Sequence, residues 1–344
     1  MGAIEQALER IVERAAGGDG PGAILSVTAP TRGVDWRGAA GFFARGSNER
    51  LRATDGFRIA SMSKTFTATV VMRLVESGRL ALDARLAEFF PRDLVARVHP
   101  DAAAITLAHL LNHTAGLWDF ALSNERRAEV MKDLGRFRPP QEILEWAIAH
   151  GAPVGPVGGG HVYSDTGYVL LGRILETVTG STYAALCRSH IFDPLGMDET
   201  WLEGHEAPRS RLSHPYTGDL DGLRLHGSSD WAAGGHVSTT ADLTRFLLAL
   251  FRDRALVSDA TLDRMLVSVK TPLHRYGLGV GIRREAAEGK PDTAQTFWGH
   301  SGYWGSFMLY APALRGTITG TVNRAEQDNR WIFSAIVECL TETA

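Results

Sequence analysis

The chain has 344 residues, with 36 lysine and arginine residues against 39 aspartate and glutamate residues and a formal net charge of −3. A hydrophobic fraction of 44% and a charged fraction of 22% are typical of a globular protein, and the near-neutral balance gives no electrostatic footprint for nucleic acid. Two cysteines, Cys187 and Cys339, form no disulfide scaffold and have no metal-ligand spacing, so no cofactor or metal is expected. The length suggests about two domains, or one domain with a large insertion.

The first residues predict an amphipathic helix. Apolar residues recur on one helical face between Ile4 and Ala15, and charged residues begin at Glu5. A signal peptide would need an apolar segment here, so we expect a cytoplasmic protein, or an exported one only if a leader had been removed. No window approaches about 18 uninterrupted apolar residues, so we expect no membrane span.

The next segments predict two strands and a helix. Residues 23–28 and 34–41 have the β-branched and apolar content of strands, with a turn between them. A helix with apolar positions at Phe66 and Leu74 follows, and it stops at Gly78.

Helices predominate from there to about residue 255, and three of them have candidate N-cap residues: Thr106, Thr166, and Ser238 or Thr239. The last third of the chain returns to strands. Four short segments rich in β-branched and aromatic residues are predicted as strands: 276–282, 296–300, 306–310 and 316–323. A final helix contains Trp331 and Leu340.

Strands at both ends with helices between them indicate one sheet built from the two ends of the chain. We therefore divide the chain into a sheet domain of residues 1–60 and 256–344 and an inserted, mainly helical domain of residues 61–255, with the candidate active site where they meet. The glycine-rich residues 155–160 lack a following Gly-Lys-Ser/Thr, so they predict a flexible turn and not a phosphate-binding loop.

The strongest chemical signal is the segment Ser61-Met62-Ser63-Lys64, where a strand-like segment enters a helix. Residues three apart are neighbours on a helix, so the Ser61 hydroxyl would lie beside the Lys64 ammonium. A serine needs a base to become a nucleophile, and a buried lysine can act as that base or assist it. Only four of the 36 basic residues are lysines, and arginine cannot give up its proton. The segment predicts a catalytic serine, although Ser-x-x-Lys also arises by chance in many proteins.

Two further segments carry reactive side chains. Tyr163-Ser164-Asp165 precedes a helix, and a tyrosine whose pKa is depressed by a neighbouring cation can act as a general base. A core tyrosine at a helix start is the alternative. Residues 298–305 lie between two strands and contain three glycines, which permit close approach of a substrate to the backbone. A plain hairpin with aromatic edges is the alternative there.

Together these segments resemble the serine β-lactamase and penicillin-binding-protein superfamily, in which Ser-x-x-Lys, Tyr-x-Asn and Lys/His-x-Gly follow in this order. The chain resembles the class C-like branch: class C β-lactamases, D-alanyl-D-alanine carboxypeptidases, D-aminopeptidases, D-amino-acid amidases and family VIII esterases. The resemblance covers essentially the whole chain, and flanking segments agree with it: 58–61 (Arg-Ile-Ala-Ser), 110–117 (Leu-Leu-Asn-His-Thr-Ala-Gly-Leu), 163–168 (Tyr-Ser-Asp-Thr-Gly-Tyr) and 192–197 (Phe-Asp-Pro-Leu-Gly-Met). It implies an α+β fold of the β-lactamase/transpeptidase type, with an antiparallel sheet, flanking N- and C-terminal helices and an inserted helical domain.

The resemblance also implies roles for individual residues. Ser61 would be the acylated nucleophile, Lys64 its partner, and Tyr163 the general base that passes the proton to the leaving group. The backbone N–H groups of Ser61 and Tyr303 would form the oxyanion hole. The candidate substrate-binding residues are Trp118, Asp165, His300, Ser301, Gly302, Tyr303, Trp304 and Asn323.

Two residues depart from the family pattern. Asp165 stands where an asparagine would donate a hydrogen bond to a substrate carbonyl, and an ionised carboxylate cannot donate one. It would instead pair with Lys64, keep that lysine charged and shift the base role further onto Tyr163. His300 stands where a lysine typically meets a substrate carboxylate, and histidine is mostly neutral at pH 7. Both changes favour a substrate without a terminal carboxylate.

The function predicted is therefore hydrolysis of small esters or amides through an acyl-enzyme, as in an esterase or a D-amino-acid amidase or D-peptidase. A D-Ala-D-Ala carboxypeptidase or β-lactamase is the first alternative, and a catalytically weak penicillin-recognising binding protein is the second. An α/β-hydrolase using Ser301 is disfavoured because Tyr303 stands where the nucleophile elbow needs glycine. A zinc site at His109 and His113 is disfavoured because Leu110 stands where a zinc protease has glutamate.

Overall fold

Residues 2–17, 21–325 and 327–341 are described in the computed structural model of the protein. These residues form thirteen strands: β1 (Ala23–Ala29), β2 (Val34–Ala40), β3 (Phe57–Arg58), β4 (Trp201–Leu202), β5 (Tyr216–Thr217), β6 (Leu220–Asp221), β7 (His236–Ser238), β8 (Val269–Lys270), β9 (Arg275–Tyr276), β10 (Gly281–Ala287), β11 (Lys290–Ser301), β12 (Ser306–Ala311) and β13 (Gly316–Thr321). Eight of them form one antiparallel sheet in the order β2-β1-β13-β12-β11-β10-β9-β8. The smaller sheets are β3-β7-β4 and β5-β6.

The described helices are α1 (Ala3–Ala16), α2 (Ser63–Glu76), α3 (Arg92–Val98), α4 (Leu107–Leu111), α5 (Asn124–Lys132), α6 (Pro140–His150), α7 (Asp165–Thr179), α8 (Tyr183–Cys187), α9 (Asp193–Leu195), α10 (Trp231–Gly234), α11 (Thr240–Leu247), α12 (Asp259–Leu266) and α13 (Arg330–Thr341). The longest, α7, has 15 residues, and no described helix combines the length and the apolar character that crossing a membrane requires.

The large sheet separates two hydrophobic cores. Successive residues of a strand point to opposite faces, so Leu25 and Val27 of β1 pack towards α1 and α13, while Ile24 joins the core on the other face. The second face is covered by helices, and α11 contacts β1, β12 and β13 there. This α+β arrangement, with an antiparallel sheet and helices from both chain ends on one face, confirms the fold class predicted from the sequence.

Strand β1 joins the two ends of the chain. It pairs with β2 on one side and with β13 on the other, where Ile24 lies opposite Thr321. The sheet therefore draws its strands from both ends, as the strand pattern predicts. The division into residues 1–60 with 256–344 and residues 61–255 remains a proposal, and α11 of the middle segment packs on the sheet itself.

Helix α2 is buried on all sides for most of its length, from Ser63 to Leu74. Its three buried threonines satisfy their hydroxyl groups on backbone carbonyls: Thr65 on Gly279 (2.8 Å), Thr67 on Ala232 (2.8 Å) and Thr69 on Thr65 (2.8 Å). Because every hydroxyl finds an acceptor, polar residues are tolerated in this central helix. The helix therefore holds its N-terminus, which carries Ser61 and Lys64, in a fixed position.

Two predicted boundaries are wrong. Helix α7 begins at Asp165 with Ser164 at its N-cap position, whereas Thr166 donates its hydroxyl hydrogen to the Trp118 carbonyl at 2.7 Å. The predicted strand 276–282 is interrupted between β9 and β10, where Gly279 has a φ of +73°. A Cβ at that position would lie 2.3 Å from Ala68, so glycine lets the chain leave the sheet and pass close to α2.

Candidate active site

Ser61 lies in a strained turn at the start of α2. Residues Ala60–Met62 form a short 3₁₀ turn, and Ala60 has a φ of +47°, a left-handed conformation that L-residues rarely adopt. A second segment presses against this turn, because a Cβ at Gly302 would lie 2.2 Å from the Ile59 carbonyl oxygen. Strained backbone of this kind is maintained only where the surrounding structure enforces it, and it is concentrated at functional sites.

Lys64 is fully buried directly beneath Ser61. Its ammonium group donates to the Ser61 Oγ at 3.0 Å and to the Ala233 carbonyl at 2.7 Å, and it pairs with the Asp165 carboxylate at 2.5 Å. An ammonium has three N–H groups, and three acceptors surround it here. The predicted pairing of Asp165 with Lys64 is therefore present, and the arrangement suits a lysine that keeps its positive charge.

Tyr163 approaches Ser61 from the other side. Its hydroxyl group donates to the Ser61 Oγ at 2.8 Å, and its ring lies 4.3 Å from the ring of His113. Burial raises the pKa of Tyr163 well above its usual value, and the negative charge of Asp165 adds to the rise. The pKa of Tyr163 is thus not depressed by the neighbouring cation as expected, because burial and the nearby carboxylates favour the neutral phenol. Tyr163 is protonated at rest.

Three carboxylates lie around the Lys64 ammonium, and sequence patterns single out only Asp165. Burial raises the pKa of Asp119 from 3.8 to about 7, and the negative charge of Asp165 adds to the rise. Burial and the same charge also raise the pKa of Asp230. The Asp119 carboxylate accepts hydrogen bonds from the backbone N–H groups of Asp165 and Ala121, both at 3.2 Å. The site is therefore richer in negative charge than its sequence motifs indicate.

His300, at the end of β11, is neutral. Its Nδ1 lies 2.7 Å from the Ser301 carbonyl oxygen, which can only accept, so Nδ1 carries the hydrogen and Nε2 accepts from the Tyr276 hydroxyl at 2.9 Å. Burial lowers the pKa of His300 to about 3, and the charge of Lys64 acts in the same direction. His300 thus cannot supply the positive charge that lysine would supply in its place.

A cation that the sequence analysis missed stands on the neighbouring strand. Arg283 of β10 donates from Nη2 to the Ser301 Oγ at 2.8 Å, and its guanidinium lies 5.5 Å from the centre of the Phe333 ring. Arginine is the common basic residue of this chain, so the sequence carries no signal that distinguishes this one. Arg283 and Ser301 also line a second cavity of about 290 Å³, which shares Tyr163 and His300 with the first.

The main cavity has a volume of about 450 Å³ and contains the Ser61 side chain. Predicted residues that line it are Ser61, Tyr163, Asp165, His300, Ser301, Tyr303 and Trp304. Lining residues that the sequence analysis missed include Phe120, Leu122, Val130, Met131, Leu225 and Asp230. Most of these are apolar, so one wall of the cavity suits a large hydrophobic group.

The backbone N–H groups of Ser61 and Tyr303 are free to receive an oxyanion. Among the residues that the structure describes, neither N–H donates a hydrogen bond. The neighbouring Gly302 N–H donates to the Ser306 carbonyl at 2.7 Å, which fixes the loop that carries Tyr303. The arrangement is compatible with the oxyanion hole expected from the resemblance.

Three predicted binding residues, Trp118, Gly302 and Asn323, are not among the residues that line the cavity. The buried Asn323 has a φ of +52°, donates to the Gly22 carbonyl at 3.1 Å and accepts from the Ser213 hydroxyl at 3.3 Å, so it ties strand ends together. Trp118 stacks on Trp146 with ring centres 6.1 Å apart and is not among the residues that line the cavity. Substrate contact by Trp118 and by Asn323 stays a prediction.

Comparison with known proteins identifies the class. A family model described as Beta-lactamase matches residues 8–334, and the chain belongs to this family. It is 30% identical over 281 residues to penicillin-binding protein 4 of Amycolatopsis lactamdurans, covering 76% of this chain and 66% of the relative. It is 31% identical over 188 residues to esterase EstB of Burkholderia gladioli, covering 53% and 46%.

A solved structure of a D-amino acid amidase from Ochrobactrum anthropi SV3, complexed with L-phenylalanine amide, is similar over 99% of both chains. The TM-score is 0.85 and the sequence identity is 27%. The chain spans about half to two thirds of the length of the curated relatives it matches, with 66%, 57% and 46% for the first three. The recognition of the family from three short motifs is thereby confirmed.

Proposed function

We propose that the protein is a serine hydrolase that cleaves small esters or amides through an acyl-enzyme on Ser61. The observation that carries the proposal is the position of the Ser61 Oγ, 3.0 Å from the Lys64 ammonium and 2.8 Å from the Tyr163 hydroxyl, at a cavity of about 450 Å³. These are hydrogen-bond distances, as a nucleophile and its activating groups require.

The resting protonation of Tyr163 determines how the proton moves. A phenol with a raised pKa is a poor acceptor unless it loses its own hydrogen in the same step. We propose that Tyr163 accepts the Ser61 proton while it passes its hydroxyl hydrogen to the leaving group. No free phenolate forms in this step. The Ser61 oxygen bonds to the carbonyl carbon to give a tetrahedral intermediate, and the protonated leaving group departs when that intermediate collapses to the acyl-enzyme.

Lys64 has an electrostatic role in this scheme. As an ammonium held by Asp165 and the Ala233 carbonyl, it stabilises the negative charge that develops on the Ser61 Oγ. The N–H groups of Ser61 and Tyr303 stabilise the oxyanion of the tetrahedral intermediate. Donors of this kind are worth about 2.7–4 kcal/mol each.

The substrate class follows from the charges at the cavity. His300 is neutral and Asp165 cannot donate a hydrogen bond, so the cavity lacks two groups that would bind a substrate carboxylate and amide. The apolar wall of Phe120, Leu122 and Met131 suits a bulky hydrophobic acyl group. The similarity of the chain to an esterase and to a D-amino acid amidase supports the same substrate classes.

The test is a substrate panel on the wild type and on Ser61→Ala. It contains p-nitrophenyl esters, D- and L-amino-acid amides and a chromogenic cephalosporin. We expect ester or amide turnover that Ser61→Ala abolishes. The matched control is Ser63→Ala, because the Ser63 hydroxyl lies in the same turn and accepts from the His236 N–H at 3.2 Å, away from the cavity. Turnover that survives Ser61→Ala would disprove the assignment, and binding of penicillin without turnover would favour the binding-protein alternative.

The position of Arg283 favours a second candidate function, a D-peptidase. Its guanidinium beside Ser301 supplies a positive charge at the edge of the site, where the carboxylate of a leaving amino acid would bind. Arg283→Gln separates the two candidates, because it should lower kcat/KM for a D-dipeptide and leave the ratio of ester to amide turnover unchanged. An equal loss on all substrates would point to a structural role for Arg283.

A further inference from the structure

The segment that follows β6 is held rigidly against the catalytic turn. Trp231 is buried, has a φ of +40°, and packs so closely on α7 that a Cβ at Gly172 would lie 2.6 Å from its ring. Its ring centre lies 5.2 Å from that of Tyr183. Two residues further along, the Ala233 carbonyl accepts from the Lys64 ammonium at 2.7 Å. The backbone beside Trp231 is therefore fixed relative to Ser61 and Lys64.

Asp230 immediately precedes this anchor and lines the Ser61 cavity. Its side chain is only partly buried, and it forms no hydrogen bond or ion pair with any residue that the structure describes. Three cations act electrostatically on Asp230, but each of them forms an ion pair with another carboxylate. The pairs are Arg58 with Glu203 (2.7 Å), Arg126 with Glu129 (3.0 Å) and Lys64 with Asp165 (2.5 Å). Asp230 is thus the carboxylate of the cavity that is left without a cation.

Burial and the negative charge of Asp165 disfavour the ionised form of Asp230 and raise its pKa, so a cation bound beside Asp230 would stabilise the carboxylate. Here the backbone next to Asp230 is also held in a left-handed conformation, which costs stability and is typical of functional positions. Both observations indicate that the carboxylate is held in place for a ligand. Asp165 cannot take this role, because its carboxylate already pairs with Lys64 at 2.5 Å.

We infer that Asp230 binds the ammonium group of the substrate, so that the preferred substrates are esters or amides with a free amino group close to the scissile carbonyl. The amino group pairs with Asp230 while the apolar group lies against Phe120, Leu122 and Met131 on the same cavity wall. This inference rests on the proposed function, because it requires that Ser61 attacks the carbonyl. Asp230 is a specificity residue in this scheme and takes no part in bond formation.

The test compares two esters that differ only in the ammonium group. The probes are phenylalanine methyl ester, as each enantiomer, and methyl 3-phenylpropanoate, with methanol release followed at a pH at which the amino ester is protonated. We expect Asp230→Asn to lower the ratio of kcat/KM for the amino ester over the desamino ester by about 10- to 100-fold, the range for a hydrogen bond to a charged group. Asp230→Glu should restore part of this ratio. Asp83→Asn, an exposed carboxylate on the surface, is the matched control.

Several outcomes would overturn the inference. An equal loss on both esters would show that Asp230 supports the fold of the site, and an unchanged ratio would show that the ammonium binds elsewhere. If Asp230→Asn does not fold, kcat/KM values of the wild type still test the inference. A preference of the wild type for methyl 3-phenylpropanoate over both phenylalanine esters contradicts an ammonium subsite. Ser61→Ala in the same assay tests the proposed function separately. If Ser61→Ala still hydrolyses the esters, the proposed function is wrong; if it does not, only the role of Asp230 is in question.

Discussion

Because the pKa of Asp119 is raised in the folded protein, the protein should become less stable as pH rises, and Asp119→Asn tests this dependence. Between the unfolded value of 3.8 and the folded value of about 7, the folded protein holds a proton that the unfolded chain has released. The free energy of unfolding therefore falls as pH rises through this window, and the loss is complete above about pH 7. The full loss is about 4 kcal/mol, at about 1.4 kcal/mol for each pH unit.

Asp119→Asn removes this charge and keeps the local hydrogen bonds, because the amide oxygen can accept from the N–H groups of Asp165 and Ala121 as the carboxylate does. We expect the variant to be more stable than the wild type at about pH 8. The stability advantage of the variant should be smaller by about 2–3 kcal/mol at about pH 5. Urea unfolding followed by circular dichroism at the two pH values measures this difference.

The matched control is Asp83→Asn, which removes an exposed carboxylate and should change stability equally at both pH values. Titration of groups far from Asp119 affects the wild type and both variants alike, so the comparison isolates Asp119 together with the neighbouring groups, such as Asp165, whose charges it feels. A stability difference between Asp119→Asn and the wild type that is independent of pH would refute the reasoning. It would mean that the carboxyl group of Asp119 is ionised at no extra cost in the folded protein.

Further variants test the catalytic scheme. Tyr163→Phe should slow acylation by about 10²–10⁴-fold, measured as the burst of p-nitrophenol, and a near-normal burst would exclude Tyr163 from the proton relay. Gly302→Ala should impair ester turnover, because the added Cβ would lie 2.2 Å from the Ile59 carbonyl oxygen and would force the turn of Ser61 to move. A normal kcat would show that the turn accommodates the methyl group. Asp165→Asn should destabilise the protein by about 1–3 kcal/mol through loss of the charged partner of Lys64, measured by urea unfolding. It should also raise cephalosporin turnover relative to ester turnover, and a fall in that ratio would contradict the role given to the missing amide donor.

The parts of the fold that the sequence predicts are those governed by local periodicity. Helix α1 and helix α13 follow from apolar residues on one face, and the strands around Ser306 and Gly316 follow from β-branched content between turns. The contact of Ser61 with Lys64 is also local, since it needs only a spacing of three residues on a helix.

The parts that sequence reasoning misses depend on long-range packing. Asp230 differs from other aspartates because the fold gives the three cations whose charges act on it, Lys64, Arg58 and Arg126, closer carboxylate partners. Arg283 becomes important only because β10 lies beside β11 in the sheet. Asn323 resembles a binding residue by type, yet its hydrogen bonds to Gly22 and Ser213 turn its amide away from the cavity. No local pattern contains this information.

The pairing of β1 with β13 has a consequence for synthesis on the ribosome. The edge of β1 that accepts β13 stays exposed until about 300 further residues have been made, because Ile24 pairs with Thr321. Contacts between such distant residues form slowly, and an unpaired strand edge promotes aggregation in the meantime. The turn of Ser61 depends on the same late segment through Gly302, so a nascent chain has no assembled nucleophile. The proposed hydrolytic activity therefore requires that synthesis has passed β13 and that this strand has paired with β1.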